Sequence, residues 1–309
     1  MATMKTLSRW ASDVRERNRK LYVTLRRGLD LEGVQAMLLG HDLRNVAGLR
    51  IPGSVGLVGL RMLVSDSRLP NLVSLAIFGF EDADDAVDEV FESPIIHRLQ
   101  VLKVWSVSDT LQARLGRGKA KALRQLDIRY SRELTTLDRY FESPHVQTLR
   151  FLTLERTALS DATMLFHNPA ARQLQSLRLI GCDFDSETVD HLIVSPYMRN
   201  LRKLDLSNNT QDDVLASIES LLRTGTPPGL ESLALRGNEL MEFDWSRVKL
   251  PRLRVLDVRD NPMDLDELLE ILQAPGLPCL KKLIAHSPEG FLPANLDPRL
   301  ILDDRKQKW

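Results

Sequence analysis

The chain has 309 residues, of which 43% are hydrophobic and 27% are charged, a balance typical of a folded globular protein. Its 42 lysines and arginines equal its 42 aspartates and glutamates. The lack of a basic excess argues against a dedicated nucleic-acid binder, which must replace phosphate counterions. No apolar run reaches the roughly 18 residues that a membrane span needs, so we expect a cytoplasmic protein without a membrane span.

The first 45 residues are predicted to form an N-terminal cap. Apolar residues recur at helical spacing between Met4 and Lys20, and this pattern predicts a capping helix whose buried face carries Leu7, Trp10, Ala11 and Val14. The first thirty residues hold eight basic and three acidic side chains. We interpret them as a solvated cap, with a docking surface for an acidic partner or a membrane surface as the alternative.

A six-residue phrase, L-x-x-L-x-L, recurs through the rest of the chain. Clear copies start at residues 72, 99, 123, 149, 174, 201, 230 and 253, and weaker copies start at 46 and 280. KLYVTL at residues 20–25 is a candidate degenerate copy. Successive starts from residue 46 differ by 23 to 29 residues. A period of this size predicts a solenoid in which each repeat buries its apolar face against its neighbours.

The residue three positions after the last leucine of the phrase is also regular. It is Cys182, Asn209, Asn238 or Asn261 in four successive repeats. A polar side chain here satisfies backbone groups of the turn inside the coil, and we expect Thr157 and Ser131 to replace it in earlier repeats. Val107 and Phe80 occupy this column further toward the N-terminus.

These motifs resemble those of the leucine-rich-repeat family. The resemblance implies an α/β horseshoe of about ten repeats, with a parallel concave sheet and convex helices. The repeat length is similar to that of the ribonuclease-inhibitor type. The spacing S-P-x-x-x-x-L between repeats is similar to that of cytoplasmic repeat proteins of bacteria such as myxobacteria and planctomycetes. We assign the repeats to residues 46–286 and a C-terminal cap and tail to residues 287–309, which include Phe291, Leu292, Leu296, Leu300 and Ile301.

Helical segments and prolines follow the strand phrases. Apolar spacing predicts helices over residues 82–91, 134–141, 185–194 and 265–273. A proline stands five residues before the next leucine phrase, where it ends the helix and biases its predecessor to extended backbone. These prolines, which include both copies of the phrase F-E-S-P, are Pro94, Pro144, Pro169, Pro196 and Pro275.

No catalytic or cofactor-binding motif is recognisable in the sequence. The phosphate-binding loop, the nucleophile elbow and the zinc motif H-E-x-x-H are all missing. Most of the six histidines lie in return segments of different repeats, and the two cysteines are too few for a disulfide framework. Residues 81–92 hold seven acidic side chains, which we interpret as the solvated face of a helix, with docking of a basic partner as the alternative. We therefore expect no metal, no cofactor and no enzymatic activity.

Alternation along each strand places two columns of side chains on the face predicted to be concave. Neighbouring strands lie roughly 4.8 Å apart, so aromatic and basic residues of successive repeats are expected to meet there. The alternative is an irregular early repeat in which Phe78 and Trp105 turn inward. The predicted partner-binding residues are Phe78, Lys103, Trp105, Arg129, Tyr130, Phe151, Glu155 and Arg178.

The resemblance and the missing motifs together predict a non-enzymatic scaffold or adaptor that binds a protein partner. Nucleic acid is not expected as a partner, and the chain is expected to be a monomer or a weak homodimer. One alternative is a regulator of a partner enzyme, such as a GTPase-activating protein, with Arg129, Arg156 or Arg236 projecting from the rim. A ubiquitin ligase similar to some bacterial effectors is another, but it needs a catalytic cysteine, and neither Cys182 nor Cys279 is suitably placed.

Overall fold

The computed structural model describes residues 3–158, 163–182, 184, 186–210, 214–240, 243–287 and 296–303. They fall into two compact units, Met1–Arg150 and Phe151–Trp309. In each unit, every strand pairs with the strand that follows it in the chain, and helices connect most of the strands. The predicted α/β class is confirmed.

Unit 1 begins with a β-hairpin and continues as strand–helix repeats. Its strands are β1 (Ala11–Arg17), β2 (Lys20–Leu25), β3 (Val46–Pro52), β4 (Ser74–Phe78), β5 (Val101–Trp105) and β6 (Gln125–Arg129). Its helices are α1 (Met4–Leu7), α2 (Leu31–Gly40), α3 (Gly56–Ser65), α4 (Ala83–Glu92), α5 (Thr110–Gly116) and α6 (Asp138–Glu142).

The predicted capping helix from Met4 to Lys20 is wrong. Helix α1 ends at Leu7, and β1 pairs antiparallel with β2 through a two-residue turn at Asn18 and Arg19. Both turn residues have a left-handed backbone, with φ of 52° and 61°, which matches the twist of a tight hairpin and suits asparagine. The edge of the sheet is therefore closed by a strand rich in charged side chains, which disfavours pairing with another chain.

A ladder of apolar residues holds the sheet of unit 1 to its helices. Leu49, Leu75, Leu102 and Leu126 face one another across parallel strands β3 to β6, and each is at most 5% exposed. Each fully buried leucine contributes roughly 2 kcal/mol of transfer free energy. The segment KLYVTL, the candidate degenerate copy of the leucine phrase, forms β2 and pairs in parallel with β3.

Unit 2 repeats the same plan with shorter strands. They are β7 (Phe151–Glu155), β8 (Ser176–Ile180), β9 (Lys203–Asp205), β10 (Ser232–Ala234), β11 (Val255–Asp257), β12 (Lys282–Ala285) and β13 (Leu300–Leu302). Its helices are α7 (Thr163–His167), α8 (Ser186–Val194), α9 (Val214–Thr224) and α10 (Leu265–Gln273). The buried ladder along these parallel strands consists of Leu152, Leu177, Leu204, Leu233, Leu256 and Leu283.

The predicted helices at residues 82–91, 185–194 and 265–273 are confirmed as α4, α8 and α10, although Asp185 lies outside the described residues. The helix predicted over 134–141 begins only at Asp138, whose backbone N–H donates to the Thr136 hydroxyl. Hydroxyls near a helix start commonly compete with the backbone in this way.

The prolines do more than end the helices. Each of Pro94, Pro144 and Pro169 opens a short 3-10 turn between a helix and the next strand. The residues before them, Ser93, Ser143 and Asn168, have extended backbone, as the sequence predicted. The phrase F-E-S-P therefore marks a helix end followed by one tight turn.

The predicted C-terminal cap is described only in part. Leu300 and Ile301 belong to β13, which pairs in parallel with β12, whereas Phe291 and Leu292 lie outside the described residues. Cys182 and Cys279 are both free thiols. In the part of the chain that the structure describes, we find no helix with the length and apolar character of a membrane span.

Candidate functional site

The open face of the unit 1 sheet is the face turned away from the helices. In β5, Leu102 and Val104 are buried, whereas Lys103 and Trp105 are half-buried on this open face. The side chains of neighbouring strands therefore meet there in register, as alternation predicts.

An aromatic pair lies at the end of β4 and β5. The ring centroids of Phe78 and Trp105 are 5.8 Å apart and the planes meet at 61°, an edge-to-face arrangement that suits the quadrupoles of both rings. Neither residue belongs to the buried core. The alternative in which these two rings turn inward is therefore wrong for this structure.

Two arginines stack on this pair. The guanidinium carbon of Arg50 lies 4.6 Å from the centroid of Phe78 and 5.4 Å from that of Trp105. The guanidinium carbon of Arg129 lies 5.8 Å from the centroid of Trp105. Such cation–π contacts are worth about 0.5–1 kcal/mol at exposed sites. We name Arg50, Phe78, Trp105 and Arg129 the aromatic cluster.

Arg50 was not among the predicted binding residues, although it lies in the strand column that also contains Lys103. Its side chain is exposed, and within the described residues it has no hydrogen bond or ion pair besides these ring contacts. Its five N–H donors therefore remain available to a carboxylate or carbonyl group of a ligand.

Lys103 is held differently. Its ammonium lies 2.6 Å from a carboxylate oxygen of Asp127, whose side chain is 3% exposed. The amide of Gln125 also donates to that carboxylate, at 3.0 Å. A buried carboxylate needs such partners, so Lys103 first serves to neutralise Asp127.

A cleft of about 330 Å³ adjoins the aromatic cluster on the same face. The small residues Gly48, Ser74 and Ala76 line it together with Tyr22. A methyl group on Gly48 would lie 2.4 Å from the ring of Tyr22, so this close approach requires glycine. Sequence reasoning missed the cleft because it placed residues 4–20, which include β1, in a helix.

Tyr130 does not join the aromatic cluster, contrary to expectation. Its φ of 53° turns the chain out of the strand, and its side chain, 46% exposed, lines a second cleft with Glu81, Asp84 and Arg132. Other residues of this turn column also have left-handed backbone. In addition to Tyr130 they are Gly79, Ser106, Arg156, Gly181, Asn208, Gly237 and Asp260. Glycine, asparagine and aspartate at five of these eight positions are the signal that could have identified the column.

The acidic segment 81–92 is largely engaged within unit 1. Glu89 pairs with Arg61, Asp88 with Arg114, and Glu92 with Lys119 at 2.9 Å. The hydrogen bonds from the Arg61 side chain lower the pKa of Glu89. These contacts join the acidic segment to α3, to α5 and to the loop that follows α5.

The other three predicted residues lie in unit 2. Phe151 is 42% exposed at the start of β7, and Glu155 is half-buried at its end. Arg178 on β8 donates to Asp205 at 3.0 Å. The structure therefore assembles the predicted Phe78, Trp105, Lys103 and Arg129 on one face of unit 1 and places Phe151, Glu155 and Arg178 in unit 2.

Several charges on the open face of unit 2 are matched in ion pairs. Besides the Arg178–Asp205 pair, Arg259 lies 2.6 Å from Asp257 and 2.7 Å from Asp303, and the hydrogen bond to Asp257 raises the pKa of Arg259. Arg236, a candidate for a projecting regulatory arginine, donates to Asp260 at 2.9 Å.

A buried polar ladder runs along the turns of unit 2. The side-chain oxygen of Asn209 accepts the backbone N–H of Cys182 at 2.9 Å, and its amide donates to three backbone carbonyls. Asn238 and Asn261 repeat the pattern toward the C-terminus. Thr157 and Ser131 are buried in the same column of their repeats, as predicted, and the Ser131 hydroxyl accepts the N–H of Val107 at 3.1 Å.

Comparison with solved structures supports this architecture. A chain of the yeast Rad7 and Elc1 complex aligns over 92% of this chain and 80% of its own length, with 17% sequence identity and a TM-score of 0.54. The chain has the leucine-rich-repeat fold. This likeness, at 17% identity, shows the fold alone.

Two further leucine-rich-repeat structures match less well. A chain of the mouse RP105/MD-1 complex matches with 17% identity and a TM-score of 0.43, over 78% of this chain and 43% of its own length. InlP of Listeria monocytogenes matches with 14% identity and a TM-score of 0.40, over 88% of this chain and 67% of its own. No protein-family model and no curated protein matches the chain.

Proposed function

We propose that this leucine-rich-repeat chain is a non-enzymatic scaffold or adaptor that binds a protein partner through the open face of unit 1. The observation that carries the proposal is the aromatic cluster. Two large rings and two guanidinium groups from four neighbouring strands lie together outside the buried core. Tryptophan and arginine dominate the binding energy of protein interfaces, so their meeting on a solvent face favours a binding role.

The surroundings of the cluster support this interpretation. The adjoining cleft offers a depression beside the rings into which a partner side chain fits. The Arg50 guanidinium is oriented by stacking on Phe78 and Trp105, so its donors are fixed before a partner arrives. Such preorganisation lowers the entropy that binding costs. We place Lys103 at the edge of this interface, with its charge already shared with Asp127.

We also propose a repeat type and a cellular compartment for the protein. The alternation of parallel strands with α-helices supports a repeat of the ribonuclease-inhibitor type. Two free thiols suit a reducing compartment such as the cytoplasm.

Affinity capture from a lysate of the native cell tests the proposal. Tagged wild type is compared with Phe78→Ala/Trp105→Ala and with Arg178→Ala/Asp205→Ala, an open-face double variant of unit 2. Circular dichroism first establishes that all three have equal helix content. We expect one protein to be captured by wild type and by the unit 2 variant and lost from the aromatic variant. Equal capture by all three would contradict the proposal.

A further inference from the structure

Basic residues concentrate in the loops that lead into the strands of unit 2. Each of these loop segments is taken as the nine residues that end at the first residue of a strand from β8 to β12. The five segments are 168–176, 195–203, 224–232, 247–255 and 274–282. Together they hold ten lysines and arginines and one acid, Glu231. Arg247 is held by Asp244 at 2.8 Å. We name the other nine the basic strip: Arg172, Arg199, Arg202, Lys203, Lys249, Arg252, Arg254, Lys281 and Lys282.

The backbone joins these loops into consecutive rungs. The N–H of Glu231 donates to the carbonyl of Arg202 at 2.8 Å, that of Arg254 to Glu231 at 2.9 Å, and that of Lys281 to Arg254 at 2.9 Å. Rungs of a sheet are spaced roughly 4.8 Å apart. The strip is therefore a row of cations along one edge of unit 2, interrupted at one rung by Glu231.

The cations of the strip are exposed and nearly all unmatched. All nine residues are exposed. Arg202 has a carboxylate, Glu231, at 3.8 Å, and the other eight have none within salt-bridge distance among the described residues. The protein as a whole has zero net charge, so the excess of cations along this edge is a local feature of unit 2. A row of unpaired like charges destabilises its own fold, which favours a role in binding an acidic partner.

We propose that the basic strip binds an acidic, extended polypeptide segment of a partner protein. Alternate side chains of an extended segment lie on one side about 6.6 Å apart, so several carboxylates can meet the row of lysines and arginines together. A site for single-stranded nucleic acid would pair its cations with stacking platforms for the bases. Among the described residues of the five loops the one aromatic side chain is Tyr197, and Arg172 lies over its ring at 4.9 Å.

Fluorescence anisotropy with labelled deca-glutamate tests the inference, with labelled deca-lysine and a ten-nucleotide oligouridylate as comparison probes. The strip variant is Arg199→Glu/Arg254→Glu/Lys281→Glu. The matched control, Lys5→Glu/Arg17→Glu/Arg27→Glu, makes the same charge change at exposed residues of unit 1 that form no ion pair among the described residues. Circular dichroism checks that both variants fold.

Wild type and the control are expected to bind deca-glutamate with similar affinity, and the strip variant at least about tenfold more weakly. Binding should weaken as salt is raised from 50 to 300 mM, and deca-lysine should not bind. Equal binding of deca-glutamate by the strip and control variants would overturn the inference, as would tighter binding of oligouridylate than of deca-glutamate. The strip consists of residues of unit 2 and the aromatic cluster of residues of unit 1, so this test and the capture experiment can fail independently.

Discussion

The two units have the same strand–helix plan but differ in the residues of their turns and of their open faces. In unit 2, the side-chain amides of Asn209, Asn238 and Asn261 form hydrogen bonds with backbone groups of the turns. Several charges on its open face form ion pairs. In unit 1, the same turn column holds Val107 and Ser131, and the open face presents rings and an unmatched guanidinium. The comparison supports the proposal that the aromatic cluster of unit 1 binds a protein partner.

The largest expected effect comes from placing a charge in the leucine ladder of unit 2. Leu204→Asp puts a carboxylate between Leu177 and Leu233 at a site that is 2% exposed, which costs several kcal/mol. We expect loss of the cooperative unfolding transition of unit 2 by circular dichroism. The control, Lys203→Asp, changes the exposed neighbour in the same strand and should melt near the wild-type temperature. An unchanged melting temperature for Leu204→Asp would refute the strand register.

The second largest effect on unfolding free energy is expected from the turn column, and it should differ between the two units. Asn209→Ala removes hydrogen bonds to Cys182, Leu179, Leu206 and Ser207 and is expected to cost about 2–4 kcal/mol of unfolding free energy. Urea denaturation measures that free energy for each variant.

The matched change in unit 1 should be milder. Ser131→Ala removes the acceptor for the Val107 N–H and should cost about 1 kcal/mol. If both substitutions cost the same in urea denaturation, the contrast between the two turn columns fails.

Binding at the aromatic cluster gives a third, intermediate effect. Trp105→Ala is expected to weaken the affinity for the captured partner by about 2 kcal/mol, because it removes the ring on which Arg50 and Arg129 stack. Isothermal titration calorimetry with the purified partner measures this change. Trp105→Phe retains a ring and should recover part of the loss; no difference between wild type and Trp105→Ala would exclude the ring from the interface.

The smallest effect concerns pH. The hydrogen bonds from the Arg68 side chain lower the pKa of Asp66, and Arg68 also donates to the carbonyl of Leu38. Because the folded pKa is depressed, the contribution of Asp66 is present above its unfolded pKa of about 3.9 and is lost as pH falls through the folded value. Asp66→Asn should flatten this acid limb in melting temperatures taken from pH 6 to pH 2.

Removal of the partner cation provides a second test. Arg68→Gln should flatten the acid limb as Asp66→Asn does, because it removes the cation that contacts Asp66 at 2.7 Å. A limb unchanged by Asp66→Asn would show that the Asp66–Arg68 contact does not stabilise unit 1.

The periodicity of the sequence predicted the strands and helices whose apolar faces are buried. It did not predict the features that depend on the backbone conformation of a single turn. The leucine phrase and the helix spacing predicted the strand order, the ladder and helices α4, α8 and α10, because those features repeat. The N-terminal hairpin was missed because Leu7, Trp10, Ala11 and Val14 also fit a helix, and Asn18 at the turn was not weighed. Strand alternation brought Phe78 and Trp105 together correctly, but the left-handed backbone at Tyr130 moved that ring to another cleft.

Site-specific photo-crosslinking tests the central claim most directly. Ser74 on β4 and Ile180 on β8 are both half-buried open-face residues, one in each unit, and Ile180 lies at the end of its strand opposite to the basic strip. We predict that irradiation of benzoylphenylalanine variants in the native lysate links a partner protein to residue 74 and not to residue 180. Crosslinking from residue 180 alone would contradict the account and assign the partner to the face of unit 2.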